Sequence, residues 1–446
     1  MSRSLVLFIY NLLLPVFFIV AFPAWLLKMW KRGGYGTGLM ERFGSFSIDA
    51  SEEPRDVIYI HAVSVGEVFI ALKLIKQWLQ AEPNLKVVLA ATTSTGHAVA
   101  RENALAGVRV IYSPLDFNMI VTEVLSRFQP RQIVLIEAEV WPNFVNVARQ
   151  MKIPVAMINA RLSKRSELRF HKFAAFVEPL FEMIDLVCVQ NKMDAVRFAK
   201  LGINKSQIHV TGSVKFDPSS GSAPQRRAAF QEMLADFAVH VDGGKHVVLL
   251  ASSHDGEERM LADAVRSSGA DALLVIVPRH AERRAQVTAD LESSGFEVVL
   301  SSQYCRPNNV TKACLVIDTT GELCDWTAHA DLVVIGKSWL AHGGQNPAEA
   351  IAAEVPVITG PHMQNFEPLV SMLREANGIV TLSSADELAH TVKDLLADRE
   401  RVDEMCRQAK KALATHENAV QKTIKLLNMN ASVRGGIMQE YYQDHE

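Results

Sequence analysis

Two stretches of this chain, about half its length apart, share one form: a β-branched run that enters a glycine-rich turn. The first is VIYIHAVSVGEV, Val57 to Val68; the second is DLVVIGKSWLAHGGQNPAE, Asp331 to Glu349. Runs of this kind suit parallel strands buried on both faces, since a half-exposed strand would alternate apolar and polar residues. The turn after each brings backbone N–H groups to a helix N-terminus, where anions bind. Two such lobes facing each other would make a cleft.

The rest of the chain repeats the rhythm. Strand-like runs at Lys86 to Thr93, Val108 to Pro114, Gln132 to Trp141, Ile153 to Ala160, Leu186 to Asn191 and Ile208 to Val214 alternate with helical patterns such as Phe69 to Glu82. This is the βαβ order of a doubly wound α/β sheet. Pro218 to Pro224, PSSGSAP, reads as a linker. The rhythm then restarts with runs beginning at His246, Ala272, Glu297, Cys314, Asp331 and Val355. The expected organisation is 1–32, an anchor; 33–217, a first Rossmann-like domain; 218–227, the linker; 228–427, a second Rossmann-like domain; and 428–446, a tail. The helical stretch Ala385 to Leu427 has a crossing back to the first lobe as one reading.

Leu5 to Leu27 contains no charged residue and is long enough to cross a hydrocarbon core of about 30 Å. Lys28, Lys31 and Arg32 follow, which places the remainder on the cytoplasmic side by the positive-inside rule. A cleaved signal peptide is the rival, but its apolar core is normally shorter and its start more basic; Trp25, Lys28 and Trp30 resemble interfacial anchors instead. Pro15 and Pro23 leave open a kinked, hairpin-like helix lying in one leaflet. The formal net charge of −3 over 446 residues argues against a nucleic-acid partner. Five cysteines without CxxC or His pairing argue against a metal site or disulfide framework. The Asp-x-Asp that would clamp a metal on a nucleotide sugar is absent.

Candidate chemistry sits at the strand ends, where open α/β sheets bind ligands. Gly66 and Glu67 follow the first strand, and Glu67 has two readings: a helix-start residue favourable to the macrodipole, or a proton acceptor. Glu137 and Glu139 end another strand, with spacing of two that would point both the same way. Arg161 and Lys215 follow two more. Arg279 and His280, opposite the turn Ser252 to His254 with Ser253 at its centre, suit a phosphate held by charge-assisted bonds; a satisfied structural histidine is the plainer reading of His280. From Asp318 to Asn365 three glycine-centred turns follow one another, DTTGEL, GKSWLAHGGQNPAEA and GPHMQNF, and would offer N–H donors to an anion. Glu349 could accept ribose hydroxyls.

Ten motifs occur in order: HAVSVGE, EAEVWPN, NARLSKRS, QNKMDAVRFAKLG, VTGSVKFD, SSHDGEE, VPRHAERR, DTTGEL, HGGQNPAE and GPHMQNF. In these the chain resembles the 3-deoxy-D-manno-octulosonic acid (Kdo) transferases of lipopolysaccharide biosynthesis. The resemblance implies a GT-B fold of two Rossmann-like lobes facing a central cleft, with an N-terminal inner-membrane anchor and both lobes on the cytoplasmic face. It implies transfer of Kdo from CMP-Kdo to a lipid A precursor; with no Asp-x-Asp in the chain, the expected reaction is a direct displacement with inversion that needs no metal or cofactor. Glu67 then matches the general base, and Gly66, Glu137, Glu139, Arg161 and Lys215 line the acceptor side. Arg279, Thr320, Gly321, Glu322, Asn346 and Glu349 match donor positions, and Ser253, His254, His280, Gly336 and Ser338 are placed with them. The basic run Lys164 to Lys172 would meet the acceptor's phosphates. The chain departs from the family pattern at Lys337, where a second glycine is usual, at Gln345 in place of histidine, at Thr320 where methionine is common, and in GPHMQNF, where a threonine more often follows the histidine. Another GT-B nucleotide-sugar enzyme, with a different donor or epimerase chemistry, and a non-catalytic two-lobed binding protein are the alternatives.

Overall fold

The computed structural model describes residues 1–31, 38–47, 53–162, 164–220, 224–239 and 244–443. Arg32 of the cationic flank, Ser163 of the basic segment and the middle of the linker, 221–223, lie outside these, as do the side chains of Trp25, Lys28, Trp30, Lys31, Lys164 and Arg165. The chain forms two compact units, Met1–Ser220 with Asn418–Glu446, and Gly221–Glu417.

The first unit is built on β1 (Ile58–Ala62), β2 (Val87–Ala91), β3 (Val108–Tyr112), β4 (Gln132–Ile136), β5 (Val155–Ala160), β6 (Leu186–Val189) and β7 (Ile208–Val210). Among the described residues they form one parallel sheet in the order β3-β2-β1-β4-β5-β6-β7. Successive residues of β1 enter opposite cores. Tyr59 packs with Val88, Ile133 and Phe144 on one face, Ile58 and Ile60 with Leu74, Trp78 and Leu89 on the other. Burial on both faces explains why the run carries no alternating polar residue.

The second unit is built on β8 (His246–Ser253), β9 (Ala272–Pro278), β10 (Glu297–Leu300), β11 (Ala313–Val316), β12 (Leu332–Ile335), β13 (Val357–Thr359) and β14 (Val380–Thr381). They form a second parallel sheet in the order β10-β11-β9-β8-β12-β13-β14. In each sheet the chain winds outward in both directions from a central pair, β1 with β4 and β8 with β12, although β10 and β11 exchange places at the edge of the second sheet. Such reversals of winding open a crevice at the strand C-termini.

Two local expectations are corrected. The run from Gln132 ends as a strand at Ile136, because Glu137 adopts a left-handed φ of 61°. The spacing-of-two argument for Glu137 and Glu139 therefore fails, since it holds only for extended backbone. Residues 418–427, assigned by sequence to the second domain, pack on the first. The helix Ala419–Gln443 buries Val420, Ile424 and Leu427 in the core beneath α2 (Val65–Ala81). The crossing is fastened by Asp217, whose carboxylate accepts from Asn418 N at 3.1 Å and Val420 N at 2.9 Å, and by Gln132, whose side chain donates to Leu427 O at 3.2 Å. Ending the chain at Glu417 is expected to destabilise the first unit by about 5 kcal/mol, from three lost apolar side chains at ~1.5–3 kcal/mol each. Thermal melting of the truncated chain checks this; an unchanged first-unit transition would overturn it.

Candidate active site

In the first unit the acids gather at the reversal between β1 and β4. The chain leaves β1, turns at Ser64 and starts α2 with a capping box. Glu67 Oε2 accepts from Val63 N at 2.8 Å, and Oε1 accepts from Ser64 N at 3.2 Å and Ser64 Oγ at 2.8 Å. Gly66 lies beside it in the first turn of α2. The helix-start reading of Glu67 is thus a geometric fact, yet the same carboxylate has unusual electrostatics. It is 7% exposed, and burial, opposed by its hydrogen bonds and reinforced by the charges of Glu137 and Glu139, holds its pKa above the ordinary carboxylate value. Burial, with Glu137 second, also raises Glu139.

Cations balance the acids. Arg161, at the end of β5, lies 3.6 Å from Glu137 Oε1. Burial, then repulsion from Arg161, lowers the Lys215 pKa, and Glu137 opposes the shift. Segments that follow four strands thus bring Glu67, Glu137, Glu139, Arg161 and Lys215 into one interacting group, although none of the five is itself on a strand.

In the second unit the turns after β8 and β12 meet at the reversal between those strands. Gly336 permits the approach: a Cβ there would lie 2.5 Å from Ser252 O and 2.6 Å from Ser253 Cα. The two turns share one carboxylate, that of the fully buried Glu257. Its Oε2 accepts from His254 N at 3.0 Å and Lys337 N at 2.6 Å, and its Oε1 accepts from Trp339 N at 3.1 Å. Ser338 is also internal, donating to Ile335 O at 2.7 Å and accepting from Gly360 N at 2.9 Å. Gly343 N donates to Gln364 Oε1 and Gly344 N to Lys337 O, both at 3.0 Å.

The expectation that this turn holds its amides ready for an anion is corrected at those positions. Buried N–H groups must find acceptors, and these have found them inside the protein. Ser253 is likewise structural, its hydroxyl donating to Glu258 Oε1 at 3.0 Å while Arg283 Nη1 reaches the same oxygen at 2.8 Å.

What the turns do present are side chains. Arg279 and His280 are exposed beyond β9, with Arg279 N donating to Ser253 O at 3.0 Å. The His254 and His280 rings meet edge to face at 6.2 Å. Burial, followed by the nearby positive charge of Lys337, lowers the His254 pKa. A second group forms where the helices Leu323–Thr327 and Ala348–Ala352 pack together. Thr320 and Gly321 are exposed at its edge, and Gly321 takes a φ of 85° that suits glycine. Glu322 lies 3.6 Å from Arg227 and accepts from the Thr319 hydroxyl. Just before the second helix, the Asn346 side chain accepts from Ala348 N at 3.1 Å, and Glu349 is exposed in the helix's first turn.

Comparison with known proteins supplies the family. Residues 37–218 match the model of the 3-deoxy-D-manno-octulosonic-acid transferase (kdotransferase) N-terminal region, and residues 310–412 match that of glycosyl transferases group 1. A 3-deoxy-D-manno-octulosonic acid transferase of Haemophilus influenzae is 32% identical over 89% of this chain and 92% of its own. The chain belongs to the Kdo transferase family. A second relative of that name, from Bordetella pertussis, is 30% identical over 90% of this chain and 95% of its own. Among solved structures, a UDP-N-acetylglucosamine 2-epimerase (TM-score 0.53, 14% identity, covering 86% of this chain and 97% of that one) and a putative one from Listeria monocytogenes (0.52, 15%, 84% and 96%) share the fold. With two Rossmann-like units, this Kdo transferase family member is a glycosyltransferase of the GT-B class.

Within this family member, the glycine replaced by Lys337 has a structural reason to be usual. Lys337 adopts a left-handed φ of 55°, a conformation that costs an L-residue roughly 1–2 kcal/mol and glycine little. Glu257 and Arg283 were missed by the sequence reading of site residues. The available signal was SSHDGEE, in which Glu257 stands three residues after His254, the capping-box interval, but with histidine where serine or threonine is the usual signature.

Proposed function

We propose that this chain transfers Kdo from CMP-Kdo to the lipid A precursor lipid IVA, at the cytoplasmic face of the inner membrane, by an inverting displacement that needs no metal. Family membership supports the sugar and the pathway. The observation that carries the mechanism is the Glu67 carboxylate: buried at the β1–β4 reversal, raised in pKa, and beside two further acids. As the acceptor hydroxyl oxygen attacks the anomeric carbon, Glu67 takes its proton. The bond from that carbon to the phosphate oxygen breaks, its electron pair leaves with CMP, and the configuration inverts. A base with an elevated pKa is better matched to a hydroxyl proton near neutral pH than an ordinary carboxylate. Arg279 and Lys337 compensate the phosphate charge, with Thr320, Gly321, Glu322, Asn346 and Glu349 as nucleotide and sugar contacts, while Arg161 and Lys215 attract the phosphorylated acceptor.

Incubation with CMP-Kdo and a tetra-acylated lipid A precursor is expected to give a product heavier by one or more Kdo residues, with one CMP released per residue added. Mass spectrometry reads the product; ligand binding with no acceptor-dependent CMP release would overturn the proposal. Turnover is also expected to persist in excess EDTA, because side-chain cations take the place of a metal clamp for which the chain has no Asp-x-Asp motif. Abolition by EDTA and restoration by magnesium would reject that part.

A further inference from the structure

The apolar helix α1 (Arg3–Lys31) is continuous through Pro15 and Pro23, and its segment Arg3–Ala24 is long and apolar enough to cross a bilayer. Its setting is not that of a free span. One stripe, Leu7, Tyr10, Leu14, Phe18 and Ala21, is at least half-buried, at the spacing of a single helix face. On that side Tyr10 donates its hydroxyl to Asp116 Oδ2 at 2.8 Å. Asn11 exchanges two hydrogen bonds with Asn143, at 3.0 and 2.7 Å. The Phe18 ring meets Phe117 edge to face at 5.6 Å. Asp116 also accepts from Asn143 N and Phe144 N, so α1 is tied to the start of the helix Pro142–Gln150.

These contacts run from Tyr10 to Phe18, and with the buried Val6 they cover roughly 18 Å of helix at ~1.5 Å per residue. Were α1 to stand across a core of about 30 Å, more than half that depth would have to admit the first unit alongside it, Asp116 and Asn143 included. The opposite face is bare and apolar: Phe17 is 70% exposed, Ile19 71% and Val20 75%. The surface continues onto the helix Ala174–Phe181, which packs beside α1 and leaves Phe176 exposed, with Phe173 just before it. Exposed Arg169 and Lys172 border these rings.

We propose that α1 lies within one leaflet of an anionic bilayer, docked along the first unit, instead of crossing the membrane. Its bare face and the rings of Phe173 and Phe176 enter the acyl region, and Arg169 and Lys172 meet anionic headgroups. This placement rests on the membrane reading above and narrows it to a single-leaflet topology. It also holds the acceptor-side residues of the same unit close to the membrane surface.

The test uses the full chain with Ser2→Cys, expressed in cells and treated with a membrane-impermeant maleimide from either side of the inner membrane. The exposed Cys305 of the second unit reports the side on which the two units lie. Single-leaflet placement expects the thiol introduced at the second position and that of Cys305 to react from the same side in membrane-bound protein. Reaction from opposite sides would establish a span and overturn the inference while leaving the membrane reading intact; protein that does not fractionate with membranes would overturn both. In addition, Phe173→Asp with Phe176→Asp is expected to weaken binding to phosphatidylglycerol-containing vesicles at least 10-fold, and unchanged binding would remove these rings from the inserted surface.

Discussion

Glu67→Gln is expected to lower kcat by ~10²-fold or more while leaving CMP-Kdo affinity nearly unchanged. The amide keeps the shape of the side chain and can still accept from Val63 N, but it cannot take up a hydroxyl proton. Its NH2 end would face Ser64 N and Oγ, where the carboxylate now accepts. A stability loss of about 1 kcal/mol should accompany the rate loss, the ordinary worth of part of a capping box. The two roles separate by magnitude: a capping residue alone would shift the melting temperature and leave turnover close to normal. In that case Glu139, also raised by burial, becomes the candidate base. The pH profile gives a second reading. Because the folded-state pKa of Glu67 is raised, its protonated form is the one folding favours. That stabilisation is complete below the unfolded-state pKa and is lost as pH rises through the folded value. In the proposed mechanism ionised Glu67 is the active form, so the acidic limb of the wild-type rate profile should fall above the ordinary glutamate range and disappear in Glu67→Gln.

Glu257→Ala is expected to destabilise the second unit by about 3–5 kcal/mol, the scale for leaving several buried N–H donors without an acceptor. His254 N, Lys337 N and Trp339 N would lose their acceptor together, in an interior where water cannot readily replace it. For a unit of this size the melting temperature should fall on the order of 10 °C. Only the second unit's transition should move, because all the partners of Glu257 lie within Gly221–Glu417. Donor affinity should fall as well, since the turns that carry His254 and Lys337 are joined through this carboxylate. A melting curve within a degree of the unaltered protein would show that the turns are held by other contacts.

Much of this architecture is legible in the sequence because it depends on short-range pattern. Strands buried on both faces must be uninterrupted apolar runs, and that is how β1, β4, β8 and β12 appear. The capping box at Ser64 and Glu67 is likewise local, three residues of spacing and two side-chain types. The ordered motifs identified the family for the same reason, since each is a contiguous string. Strand ends were harder to read. Nothing in EAEV announces that Glu137 turns left-handed, because that conformation is set by the route the chain takes from β4 to the helix Pro142–Gln150.

What the sequence determined by itself is therefore the class of fold, the family, and the set of acids and bases at strand ends. The tertiary structure alone decided which of those groups act on one another and which polar groups are already satisfied. Glu67 acquires its raised pKa from burial and from Glu137 and Glu139, some seventy positions away in the chain, brought near because β1 and β4 are neighbours in the sheet. The amides after β12 look free in the sequence and are bonded in the structure, because Glu257 reaches them from the turn after β8. Residues 418–427 join the first unit because the apolar stripe of their helix fits a face of the first core. Each of these outcomes depends on distance in space, and burial and Coulomb interactions are functions of that distance, not of separation along the chain.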